Sequence, residues 1–123
     1  LERLLSRASY HLSLKEGPAL DLARRNPLLL SPASAEDFSR EASLLASSRR
    51  KGRLILVDLK PLLVEFSLRE GEGFPSWHLI LRLGPEGGIH PARVMARFFS
   101  KYLDEKEADD LVSGLKVTRK ALS

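Results

Sequence analysis

Asp58 is the carboxylate in this chain with the clearest chemical potential. It interrupts the apolar residues Leu54, Ile55, Leu56, Val57 and Leu59, so folding is expected to bury it in part. A partly buried Asp can act as a general base, but catalysis needs a second positioned group, and the sequence names none. The plainer role is an ion pair with Arg53 or Lys60, or a cap on the turn that Pro61 imposes. The densest charge is the run Arg49-Arg50-Lys51-Gly52-Arg53, with Lys60 close behind. Such cations can hold phosphates. They can equally offset the dipole at a helix C-terminus. His11 and His78 could share a sheet face, where a metal would need a third ligand, and Glu65 is the one available. No metal site is expected from so sparse a set. Residues 84–88 place glycines before a helix start, a geometry that can cradle phosphate. They match neither the P-loop nor the dinucleotide fingerprint, so an ordinary connecting loop is the simpler reading.

Composition narrows the chemistry further. The chain has 123 residues and no Cys, which excludes disulfides, thiol nucleophiles and cysteine-held clusters or zinc. That length suits a single domain with one core, spanning residues 1–123. A first residue that is Leu marks the expected domain as a piece of a longer chain. No apolar run approaches the roughly 18 residues of a membrane span, and the charged start is unlike a signal peptide. A soluble cytoplasmic domain is the expectation. The net charge is +4, and all of it lies in residues 1–60, with 11 Lys/Arg against 7 acids; the remainder is balanced at 9 and 9. This is a weak basic excess beside that of a dedicated nucleic-acid binder.

The elements that must position these residues follow from periodicity. Residues 9–15 alternate, with Tyr10, Leu12 and Leu14 on one side, which predicts a strand ended by Gly17-Pro18. Residues 18–33 read as a loop with a short helix, cut by Asn26-Pro27 and Ser31-Pro32. Ser34 looks like an N-cap, and Phe38, Ala42, Leu45 and Ala46 suggest a helix over residues 34–47. Residues 54–59 read as a strand. After Pro61, Leu62, Val64, Phe66 and Leu68 alternate with Leu63, Glu65, Ser67 and Arg69. Trp77, Leu79, Leu81 and Leu83 alternate with His78, Ile80 and Arg82. Those two runs form an expected hairpin across the turn-rich residues 70–75. Pro91 opens a helix whose apolar stripe is Val94, Met95, Phe98, Phe99 and Tyr102, and His90 is expected to cap or orient its start. Residues 104–110 are a solvated end or a second short helix. Gly114 breaks the chain before a last strand that carries Lys116, Thr118 and Lys120.

Strand–helix–strand–strand–helix–strand is the α+β, two-layer, ferredoxin-like order: an antiparallel sheet with two main helices on one face. The other face would carry Glu65, Ser67, Arg69, His78, Arg82, Lys116, Thr118 and Lys120. With no outward aromatics among these, base stacking of the RNA-recognition type is disfavoured, leaving backbone contact or a neighbouring domain.

Several of these pieces stand in a familiar sequence. Ala8-Ser9-Tyr10 opens the first strand. Arg50-Lys51-Gly52-Arg53 precedes Val57-Asp58-Leu59-Lys60-Pro61-Leu62. Gly88-Ile89-His90-Pro91 stands before the last helix, and Thr118-Arg119-Lys120-Ala121-Leu122 closes the chain. Together they resemble the C-terminal half of the radical SAM-linked domain of unknown function. That bacterial domain occurs alone or fused behind a B12-binding radical SAM module. The resemblance covers nearly the whole chain, with residues 18–33 fitting least well. It implies a cytoplasmic accessory domain, encoded near ribonuclease and ribosomal-protein genes and so connected with RNA. It also implies a parent protein that carries an iron–sulfur cluster and S-adenosylmethionine. The cluster cannot be carried over to these residues, because no Cys is present to hold it.

The leading expectation is an accessory module that contacts RNA or an adjacent domain. Its polyanion-binding residues would be Arg49, Arg50, Lys51, Arg53, Lys60, Arg82, Lys116 and Lys120. Two alternatives stand beside it. One is part of an RNA-modifying enzyme, with Asp58 as catalytic carboxylate and Arg53 and Lys60 on phosphate. The other is an oligomerisation domain.

Overall fold

A computed structural model describes residues 7–15, 17–50, 52–71, 74–82 and 89–122. Four strands build the main sheet: β1 (Arg7–Leu14), β4 (Leu63–Gly71), β5 (Phe74–Arg82) and β6 (Leu115–Leu122). Their order is β4-β5-β1-β6, and every neighbouring pair is antiparallel. β1 and β4 therefore run parallel with β5 between them, and β5 and β6 run parallel with β1 between them. The first crossover contains α1 (Pro18–Arg24) and α2 (Pro32–Ser39); the second contains α3 (Pro91–Phe99) and α4 (Glu105–Ser113). The protein is thus a mixed α/β structure, an open four-stranded antiparallel sheet with four α-helices among the described residues.

Alternation along β1 and β5 sends Leu12, Leu14, Trp77, Leu79 and Leu81 inward. α3 meets them with Val94, Met95, Phe98 and Phe99, its i, i+1, i+4, i+5 face, all fully buried. Phe98 is the hub. Its ring lies 5.2 Å from Phe38 on α2, 5.0 Å from Phe66 on β4 and 6.5 Å from Trp77 on β5, all in tilted or edge contacts. The helix starts are set locally. His90 Nδ1 accepts from the Ala92 amide at 3.1 Å, with Pro91 in the first turn. Asp104 and Glu107 form a capping box that makes α4 a helix rather than a solvated tail.

The expected helix over residues 34–47 is corrected. α2 ends at Ser39, and residues 45–50 form a strand, β2 (Leu45–Arg50), paired antiparallel with β3 (Arg53–Asp58). Tertiary hydrogen bonds decide this. The Leu44 amide donates to Asp58 Oδ1 at 2.8 Å, and the Leu59 amide donates to the Leu44 carbonyl at 2.8 Å. Both groups would otherwise serve a helix. Leu44 is buried in place of Ala42 and Leu45.

The expected face of β4 is corrected as well. A bulge shifts the pairing from Leu63↔Leu81 to Glu65↔Ile80, so Leu63 and Phe66 both turn inward, and Leu62 belongs to the 3-10 turn Lys60–Leu62.

Candidate functional site

The β2–β3 hairpin stands apart from the main sheet, each of its strands pairing only with the other among the described residues. Arg50 pairs with Arg53 across a two-residue turn, and Gly52 takes the positive φ of +78° that such a turn demands. The hairpin is pinned at its root. Arg97 Nε of α3 donates to the Leu45 carbonyl at 2.9 Å. Asp58 Oδ1 accepts from the Leu44 and Lys60 amides, at 2.8 and 3.0 Å. Beyond that root Leu54 and Leu56 are 68% and 67% exposed. A cleft of about 570 Å³ opens between the root, α3 and α4, with Leu45, Arg93, Arg97, Glu105 and Asp109 on its walls.

Asp58 emerges as the clasp of this root. Two amides hold its carboxyl below the ordinary carboxylate range, with the Lys60 charge adding to the effect and burial opposing it. A carboxylate so occupied is a poor proton acceptor. Lys60, expected on phosphate, turns its ammonium to the Ser39 carbonyl at the end of α2. Arg53 is exposed at the start of β3. Arg49 and Arg50 close β2 instead of a helix, which moves the basic run to a hairpin turn. Lys51 and the side chains of Arg49, Arg50 and Lys120 lie outside the described residues, as does the glycine-containing loop 83–88.

The outer face of the sheet divides into three zones. Arg7 pairs with Arg82 at one end. At the other, the row Arg69, Ser76, Ser13 and Lys116 carries two exposed cations. Six residues of strand separate these ends, on the order of 20 Å. Arg82 and Lys116, both expected on this face, therefore stand at opposite ends of it. The expectation of an aromatic-free face is corrected, since β5 begins at Phe74, 43% exposed and in the same alternation as His78.

The middle zone is a hydrogen-bonded array that the sequence did not reveal. His78 Nδ1 lies 2.8 Å from Glu65 Oε2, and His78 Nε2 lies 2.9 Å from Ser9 Oγ. A carboxylate only accepts, so Nδ1 carries the proton, and in the neutral imidazole Nε2 then accepts from the Ser9 hydroxyl. Three adjacent strands contribute one residue each. His11 lies directly opposite His78, as their shared face suggested, yet the described residues contain no group of three His, Asp or Glu able to hold a metal. The array could have been sought by asking which His on a strand has a hydroxyl and a carboxylate on the flanking strands, but the register had to be known first.

No family model matches the chain, and neither does any curated protein or solved structure. No helix among the described residues is long and apolar enough to cross a membrane.

Proposed function

We propose that this chain is a cytoplasmic accessory domain that binds RNA through the turn of the β2–β3 hairpin. One observation carries the reading: β2 and β3 form a narrow two-stranded ribbon of their own, and Arg50 and Arg53 pair across its turn within the run Arg49-Arg50-Lys51-Gly52-Arg53. A narrow ribbon turn can reach phosphates from more directions than a flat sheet can, and phosphate contact needs charge rather than a shaped pocket. The sheet face has the lesser part, because its cations sit at two separated ends. Asp58 as the catalytic carboxylate of an RNA-modifying enzyme is disfavoured by the two amides that occupy it.

A second reading, contact with an adjacent domain of a longer chain, is favoured by Leu54 and Leu56 standing in solvent behind the turn. The radical SAM-linked resemblance fits either partner. It rests on the sequence motifs alone, and any cluster or S-adenosylmethionine would belong to other parts of such a chain, since these residues include no Cys. The ferredoxin-like reading of the fold is supported by the strand order and by two crossovers that each join parallel strands across one antiparallel neighbour. The hairpin is then an insertion between α2 and β4.

Fluorescence anisotropy with a single-stranded RNA tests the binding reading. For four phosphate contacts, log K is expected to fall against log salt with a slope of about −3. Absence of binding at low salt would reject it. If the domain is instead an oligomerisation unit, its mass in solution at high concentration will exceed that of one chain.

A further inference from the structure

We propose that Ser9, His78 and Glu65 form a hydrolytic triad on the open sheet face, acting on carboxylic esters that also carry an anionic group. This inference is independent of the RNA-binding reading. The geometry has the three relations that nucleophilic catalysis by a hydroxyl requires. The nucleophile touches its base, with Ser9 Oγ 2.9 Å from His78 Nε2. The base is oriented by a third group, with Glu65 Oε2 2.8 Å from Nδ1. The array is reachable from solvent: the His78 side chain is 19% exposed and that of Glu65 is 45% exposed. The residues are 9, 65 and 78 in a chain of 123, so no local turn brings them together. The strand order β4-β5-β1 does so, and the rigid ladder on both sides of His78 holds the spacing.

The substrate class follows from the neighbours. Arg7 shares the outer face with Ser9, two residues before it on β1, and Arg82 lies opposite Arg7 on β5. Both are exposed. A substrate laid across Ser9 toward this end of the sheet meets two guanidinium groups, which suit a carboxylate tail and a developing oxyanion.

The reaction balances with water alone. Ser9 Oγ bonds to the ester carbonyl carbon while its proton passes to His78 Nε2. The tetrahedral oxyanion collapses, the bond to the alcohol oxygen breaks, and that oxygen leaves with the proton from Nε2. Water then adds to the acyl carbon and gives a proton to Nε2. Collapse breaks the bond to Ser9 Oγ, which takes that proton back as the free carboxylic acid departs. Glu65 keeps its negative charge throughout and stabilises the imidazolium that forms twice in the cycle.

The test uses the full chain, a fluorophosphonate probe, and two chromogenic esters, p-nitrophenyl hemisuccinate and p-nitrophenyl acetate. The expected results are one phosphonate adduct located on Ser9 by peptide mass spectrometry, and hydrolysis of the hemisuccinate in preference to the acetate. Ser9→Ala and His78→Asn should abolish labelling and lower turnover at least about 10³-fold. Glu65→Gln should keep the fold, shown by an unchanged far-UV spectrum, and still lose at least about 10²-fold. Arg82→Ala should reduce the hemisuccinate-to-acetate preference about tenfold. Lack of an adduct on Ser9 in the wild-type chain would overturn the proposal even if the variants fail to fold. So would turnover that survives Ser9→Ala. An unchanged ester preference in Arg82→Ala would remove the anionic substrate class.

Discussion

Asp58 shows how far a single residue can be read before its surroundings are known. Its place in an apolar strand marked it as a carboxylate that must find partners. Which partners it finds depends on where residues 40–44 go, and that is a tertiary matter. The structure gives it the amides of Leu44 and Lys60, which hold its carboxyl below the ordinary range. The ionised form is therefore favoured in the folded state. Its contribution to stability is present above the ordinary Asp value of about 3.9 and is lost as the pH falls through the lower folded value. Melting curves recorded from pH 7 to pH 2 should show wild type losing stability through the acid range. Asp58→Asn should be less stable at pH 7 and should lose less on acidification. Parallel curves for the two proteins would remove Asp58 from the clasp. His78 offers the opposite case. Its face on β5 was legible from alternation, but its link to Ser9 and Glu65 was not, since hydrogen bonds across strands depend on register.

At the scale of elements, strong periodicity was the reliable guide. α3 and strands β1 and β5 stand where alternation or helical spacing put them, because each buries one clear face. The expected helix over residues 34–47 ended at Ser39 because Leu44 gives its amide to Asp58 Oδ1 and its carbonyl to the Leu59 amide, a tertiary claim on that stretch. The bulge in β4 was invisible for a related reason: Leu62, Leu63 and Val64 are all apolar, so no polar residue announces which one faces in. One close approach between elements was not foreseen either. A Cβ at Gly114 would stand 2.6 Å from the Ala19 Cβ, where α4 ends against α1. Gly114→Ala should cost about 1–3 kcal/mol through this overlap. Urea denaturation reads it as a lowered midpoint with an unchanged slope. A raised midpoint would mean that α1 yields freely.

The whole molecule combines a sheet-and-helix body, built on a large buried core, with a hairpin that exposes Leu54, Ile55 and Leu56. Two-stranded hairpins have marginal stability by themselves, and this one leaves Leu54 and Leu56 facing water. Replacing both with Ser should change the stability of the free chain by less than about 0.5 kcal/mol per site, because exposed side chains lose no core contact. A loss of several kcal/mol in a denaturation curve would mean that Leu54 and Leu56 pack against the body. Composition had announced only a weak basic excess in residues 1–60. The fold places Arg50 and Arg53 of it at the hairpin turn and Arg7 at one end of the sheet. RNA binding by that turn is the central claim, and anisotropy at about 50 mM salt tests it most directly. Arg49→Glu/Arg50→Glu/Arg53→Glu should weaken RNA binding by roughly 100-fold or more, while Lys116→Glu on the sheet changes it only a few-fold. Equal affinity of the triple variant and the wild-type chain would contradict the claim.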